Sequence, residues 1–186
     1  MIDSELLVSA RKSQLRSEIK KIKISAAIRR RRSLKLCSQI EKSSFFKHSQ
    51  TIGLYSALAD EIDVSRIAQK ALDLKKNVFF PKVSGSQMSF YEVFDLKADL
   101  KSGKFGILEP VLSRSKKRIR PLDLVLIPGR AFDKKGKRLG RGVGFYDRLL
   151  EKWSDSVRMG VAFSEQIVKC VPSEAHDVEM DIVLTA

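Results

Sequence analysis

An α/β fold with a mainly parallel sheet, in a single domain over residues 1–186, is what the sequence predicts. Strand-like and helix-like runs alternate along the chain, the order that builds βαβ units. Residues 122–128 (LDLVLIP) are almost continuously apolar, as a strand covered on both faces must be. A third observation places a candidate ligand site. The glycine-rich stretch 138–147 (RLGRGVGFYD) follows a strand and leads into a helical run, the context in which open α/β sheets bind ligands. With 43% hydrophobic residues, the chain is long enough to bury a substantial core.

Residues 4–24 read as a helix, with Leu7, Leu15, Ile19 and Ile22 near helical spacing. Ser25 suits the N-cap of a second helix through residue 43, giving an N-terminal helical pair. That second helix carries Arg29, Arg30, Arg31 and Arg32 in succession. Consecutive helical residues point around the whole circumference. This favours solvated arginines with some snorkelling stems over a nucleic-acid or targeting role. Residues 51–56 (TIGLYS) read as a short strand and 57–63 (ALADEID) as a loop. Residues 64–74 read as a helix with Asp63 at its N-cap. Residues 77–83 (NVFFPKV) form a buried strand ended by Pro81, 84–87 a turn, and 88–93 an alternating strand. Residues 100–110, with two glycines and a proline, read as a loop, and 111–120 as an exposed connection. Residues 133–136 (DKKG) make a turn before the glycine loop. Strands at 158–163 and 181–185 follow, separated by a loop at 173–177 (SEAHD).

Gly140, Gly142 and Gly144 alternate between Arg138 and Asp147. Glycines let a chain turn tightly and bring its N–H groups close to a ligand. Converging N–H groups make an anion-binding concavity, and Arg138 and Arg141 add charge-assisted contacts to phosphate. The same composition also suits a solvated hairpin. The spacing is neither a Walker A loop nor a dinucleotide fingerprint. Lys12 and Arg16, four residues apart, leave one helix face, either as a solvated basic face or as two cations for a phosphate chain. Tyr55 and Glu61 lie at a strand's C-terminal end. There Glu61 is either a surface carboxylate or a partner for an amino-pyrimidine edge. Phe105, between two glycines, either plugs the core edge or stacks on a flat ligand. His176 beside Asp177 is a catalytic or metal pair or an ordinary loop. Asp147 and Asp177 are candidate Mg²⁺ carboxylates.

Taken with their order, these segments resemble the 5-formyltetrahydrofolate cyclo-ligase (5,10-methenyltetrahydrofolate synthetase) family. The resemblance runs through RKSQLR at 11–16, LYSALADEID, NVFFPKV with MSF, GKFGILEP, GVAFSEQIV, VPSEAHD and the final DIVLT. It is strongest at residues 127–148 (IPGRAFDKKGKRLGRGVGFYDR). It implies a three-layer α/β/α sandwich and an ATP- and Mg²⁺-dependent ligase. In such a ligase the formyl oxygen attacks the γ-phosphate, N10 closes the ring, and phosphate leaves. By resemblance, Lys12 and Arg141 carry catalysis. Lys12, Arg16, Arg138, Leu139, Gly140, Arg141, Gly142, Val143, Gly144, Phe145 and Tyr146 contact ATP. Tyr55, Glu61, Phe105 and Phe145 contact folate, and Asp147 and Asp177 hold Mg²⁺. Position 145 departs from the family's usual Tyr; the ring is kept and a hydroxyl is lost.

The chain has 36 Lys and Arg against 22 Asp and Glu, a net charge of +14, which favours anionic partners. ATP and the glutamate tail of folate are such partners. Nucleic acid is not expected, because the aromatics sit with glycines and carboxylates rather than among the basic clusters. Two unrelated cysteines, Cys37 and Cys170, build neither a disulfide framework nor a zinc site. No secretory signal, membrane span or membrane partner is read. The expectation is a cytoplasmic enzyme, monomeric or weakly self-associating. A nucleic-acid-binding module and a different ATP-dependent kinase or ligase are the competing readings.

Overall fold

The computed structural model describes residues 2–103, 106–118 and 120–186, with side chains from residue 6 onward. The chain opens with α1 (Ile2–Lys20), α2 (Ala26–Lys42) and a short α3 (Ser44–His48). Ser25 caps α2, its hydroxyl accepting the Ile28 N–H. Then follow β1 (Thr51–Gly53), α4 (Ser65–Asp73), β2 (Asn77–Ser84), β3 (Gln87–Val93), β4 (Leu100–Ser102) and β5 (Leu108–Pro110). The last part holds β6 (Leu124–Pro128), β7 (Ala131–Asp133), β8 (Arg138–Leu139), α5 (Phe145–Leu150), β9 (Val157–Ala162), β10 (Ile167–Val168) and β11 (Ile182–Thr185).

The central sheet has the order β11-β9-β6-β1-β2-β3. Every pairing in it is parallel except β2 with β3. The apolar run predicted as a central strand is β6, flanked by β1 and β9. Because side chains alternate across a strand, β6 feeds both faces. Leu124 and Leu126 join Leu36, Ile40, Phe46 and Ile67 beneath α2, α3 and α4. Val125 and Ile127 join Phe90, Phe132, Leu150 and Trp153 on the α5 side. Helices thus cover both faces, and the three-layer α/β/α sandwich is the observed architecture. Among the described residues no helix is long and apolar enough to cross a membrane.

Several local expectations change. The predicted loop at 100–110 contains an antiparallel hairpin, β4 with β5, tied to the sheet by a 2.8 Å ion pair from Lys82 to Glu109. Strand β2 continues through Pro81 to Ser84, because β2 is held by β1 on one side only as far as Phe79. The strand predicted at 51–56 ends at Gly53. Val64, not Asp63, sits at the α4 N-cap, while the Asp63 carboxylate accepts the Ser65 N–H. The glycine-loop region begins as a strand, since β8 pairs antiparallel with β7.

Candidate active site

Helix α1 reaches the glycine loop by packing. Leu15 and Ile19 lie against Ala131, Leu139 and Val171, which brings the Lys12–Arg16 face over the loop. Arg16 Nε donates to the Gly140 carbonyl at 2.9 Å. Lys12 Nζ donates to Asp177 Oδ2 and Glu174 Oε2, both at 2.6 Å. Burial pulls the Lys12 pKa down, but the hydrogen bonds to Asp177 and Glu174 outweigh it and hold the ammonium above its ordinary value. Asp177 moves the other way: burial pushes it up, and the Lys12 contact brings it below the usual carboxylate range.

Arg138, on β8, is buried. It donates to Asp147 Oδ1 at 2.8 Å, and its guanidinium lies 5.5 Å above the Tyr146 ring. Its Nε is buried without a partner among the described residues, an orphan donor of the kind that a bound anion satisfies. The loop then needs its glycines. Gly142 has φ of 103° with the Arg16 guanidinium close by, and Gly144, at the start of α5, has φ of 69°. Both angles are strained for any residue with a Cβ. A cavity of about 380 Å³ lies beside the loop, lined by Lys137, Arg138, Ser173, Glu174, Asp177 and Val178.

On the loop's other side, Arg141 reaches the 57–63 segment. Its Nη2 donates to Asp60 Oδ1 at 2.6 Å and Glu61 Oε1 at 2.8 Å, and its Nε also meets Glu61 at 3.2 Å. Glu61 is buried, and its second oxygen accepts the Leu58 N–H. Arg130 pairs with the other oxygen of Asp60. Arg29 donates to the carbonyls of Glu61 and Leu58.

The structure therefore gathers Lys12, Arg16, Arg138, Gly140, Arg141, Gly142, Gly144, Asp147, Asp177 and Glu61 around one loop. Leu139 is buried and its carbonyl accepts the Arg130 N–H, whereas Val143 is exposed. Phe145 is half-buried with the Arg148 guanidinium over its ring at 5.4 Å. Tyr55 is not brought to the surface of the site: it is buried, with its hydroxyl donating to the Ile62 carbonyl. Burial raises the Tyr146 hydroxyl well above its ordinary pKa. Phe105 lies outside the described residues. The metal-type cluster among the described residues is Glu174, His176 and Asp177, with ligand atoms within 4.8 Å of one another. Asp147 faces Arg138 instead, and His176 is exposed.

Sequence reasoning missed Glu174, Asp60, Arg130 and Arg29. Glu174 and Asp60 each stand close to a residue that was singled out, Asp177 and Glu61, so acidic neighbours were the available signal. Nothing local distinguished Arg29 from Arg30 and Arg31, which are exposed.

An α/β sandwich with a basic glycine loop beside paired carboxylates defines a class, α/β proteins with one charged site gathered around a glycine loop. The family follows from comparison. The 5-formyltetrahydrofolate cyclo-ligase family model matches residues 8–186, and the chain belongs to that family. It is 34% identical over 188 residues to a probable 5-formyltetrahydrofolate cyclo-ligase of Caenorhabditis elegans, covering 93% of this chain and 91% of the relative. It is 31% identical over 185 residues to the Haemophilus influenzae 5-formyltetrahydrofolate cyclo-ligase, covering 94% and 97%. The solved structure of Aquifex aeolicus 5,10-methenyltetrahydrofolate synthetase superposes with a TM-score of 0.82 at 37% identity, covering 94% of this chain and 89% of that one.

Proposed function

We propose that the protein converts 5-formyltetrahydrofolate to 5,10-methenyltetrahydrofolate at the expense of ATP, with Mg²⁺, through a phosphorylated imidate. The observation that carries this reading is that Lys12 and Arg16 of α1 are brought beside Arg138 and Arg141 of the glycine-rich stretch. Phosphoryl transfer asks a protein for positioning and charge stabilisation more than for covalent chemistry. The formyl oxygen attacks the γ-phosphorus and ADP leaves. N10 then attacks the activated formyl carbon, and phosphate departs with the former formyl oxygen.

In this reading the glycine loop, Arg138 and Arg16 hold the phosphates, and Lys12 and Arg141 offset charge that builds on the transferring group. Glu61, buried beside Arg141, faces the pterin. The donor set fits Mg²⁺, a hard cation that prefers carboxylate oxygen. Among the described residues, Asp147 keeps Oδ2 and Asp177 keeps Oδ1 free of hydrogen bonds. Those two residues would hold the ion, which when bound supplies charge neutralisation at the phosphates. The basic surface suits a polyglutamylated folate. The free thiols of Cys37 and Cys170 accord with a cytoplasmic location.

The test is direct. The protein with 5-formyltetrahydrofolate, ATP and Mg²⁺ should produce methenyltetrahydrofolate absorbance with one ADP per turnover. Equal product formation without ATP would refute the nucleotide and imidate parts of the proposal.

A further inference from the structure

Arg141 is held along one edge only. Glu61 and Asp60 take its Nε and Nη2, while Nη1 has no hydrogen-bond partner among the described residues. A guanidinium is a rigid planar fork, so fixing one edge fixes the direction of the other. The two anchors are not alike. Glu61 is the carboxylate read as meeting folate, so substrate draws on the same oxygens that restrain Arg141. Asp60 carries no such second duty. It is held from behind by Arg130, whose own backbone is pinned: its N–H donates to the Leu139 carbonyl at 2.7 Å, and its carbonyl accepts from Gln166 at 3.2 Å.

We propose that Asp60, locked by Arg130, is a positioning residue that keeps the Arg141 guanidinium aimed at the phosphate side when folate occupies Glu61. The proposal rests on the functional reading above. Its physical basis is that an arginine with one of two anchors engaged elsewhere would swing, and a small misplacement near a reacting phosphate is costly in rate. A carboxylate is required because it must accept from two arginines at once. An asparagine offers one acceptor oxygen and would turn its NH₂ donors toward the other guanidinium.

The experiment is steady-state kinetics on Asp60→Asn, Arg130→Gln and the double variant, with thermal unfolding of each. Asp60→Asn should lower kcat by about 10-fold with less than about 3-fold change in KM for either substrate. Arg130→Gln should lower kcat in the same way but less, and the double variant should be no worse than Asp60→Asn alone. A merely structural role would move the unfolding midpoint and both kinetic constants together, and that pattern would overturn the proposal. So would wild-type kcat in Asp60→Asn, or losses that multiply in the double variant. Should Asp60→Asn not fold, Arg130→Gln with unchanged kcat overturns the proposal by itself. The ATP dependence of the unmodified protein reports separately on the parent reading.

Discussion

Two ion-pair clusters flank the glycine loop, and they bury opposite partners. Toward the chain termini the cations are inside: the Lys12 side chain is 9% exposed and that of Arg138 4%. Toward the 57–63 segment the carboxylate is inside: the Glu61 side chain is 7% exposed, and that of its partner Arg141 is 35%. The first cluster ties α1 to the 173–177 loop and β8 to α5, so it is part of how α1 is fastened. The second leaves its arginine at the surface, anchored along one edge and open along the other. A buried cation is a fixture whose loss strands two carboxylates. A half-exposed, one-edged arginine is placed to meet a ligand, although its removal would strand the buried Glu61 carboxylate. Both clusters serve the proposed site, but the first also fastens elements of the fold through its buried cations.

Arg141→Lys, which keeps a charge beside the buried Glu61 but loses the planar fork, is the sharpest way to break this contrast. It should cut kcat by roughly 10²-fold, as loss of a positioned donor does, with the unfolding midpoint nearly unchanged because Glu61 keeps a cation. A large drop in midpoint would show that the second cluster is structural as well. Lys12→Met should do what Arg141→Lys does not, costing about 2 kcal/mol of stability in denaturant titration. Unchanged stability would erase the distinction between the clusters. Asp147→Asn should raise the Mg²⁺ concentration for half-maximal rate by about 10-fold, and an unchanged titration would remove Asp147 from the metal site.

The smallest effect is in pH. The folded-state pKa of Asp177 is depressed, so its contribution is present above its unfolded value, near about 4, and lost as pH falls through the lower folded value. Lys12 is raised, so its contribution persists at neutral pH and is lost as pH climbs through its folded value, above about 10.4. Lys12→Met should flatten the stability profile at both extremes, read as the unfolding midpoint against pH.

The site was legible where chemistry is local. Glycines at 140, 142 and 144 announce a backbone that other residues resist, and two of them take positive φ. Lys12 and Arg16 announce a shared face, and both reach the loop region. Tyr55 was less legible: a tyrosine at a strand end looks the same whether it faces a ligand or, as here, the core. The 100–110 hairpin was hidden because its strands are three residues each, too short for alternation to register. The arginine run read as uniform, yet Arg29 holds loop carbonyls and Arg32 pairs with Glu165 at 2.6 Å.

By itself the sequence determined the alternation of strands and helices, the buried central strand, and the one loop built for close approach. Those follow from periodicity and from glycine's backbone freedom, both properties of neighbouring residues. Only the tertiary structure decided which charges meet. Lys12 finds partners 162 and 165 residues away, and Arg141 finds Glu61 80 residues back. In water, charges of opposite sign choose one another weakly. The choice is made when α1 packs on β7 and β8 and the glycine loop meets the 57–63 segment, leaving Lys12 and Arg141 each one carboxylate pair within reach.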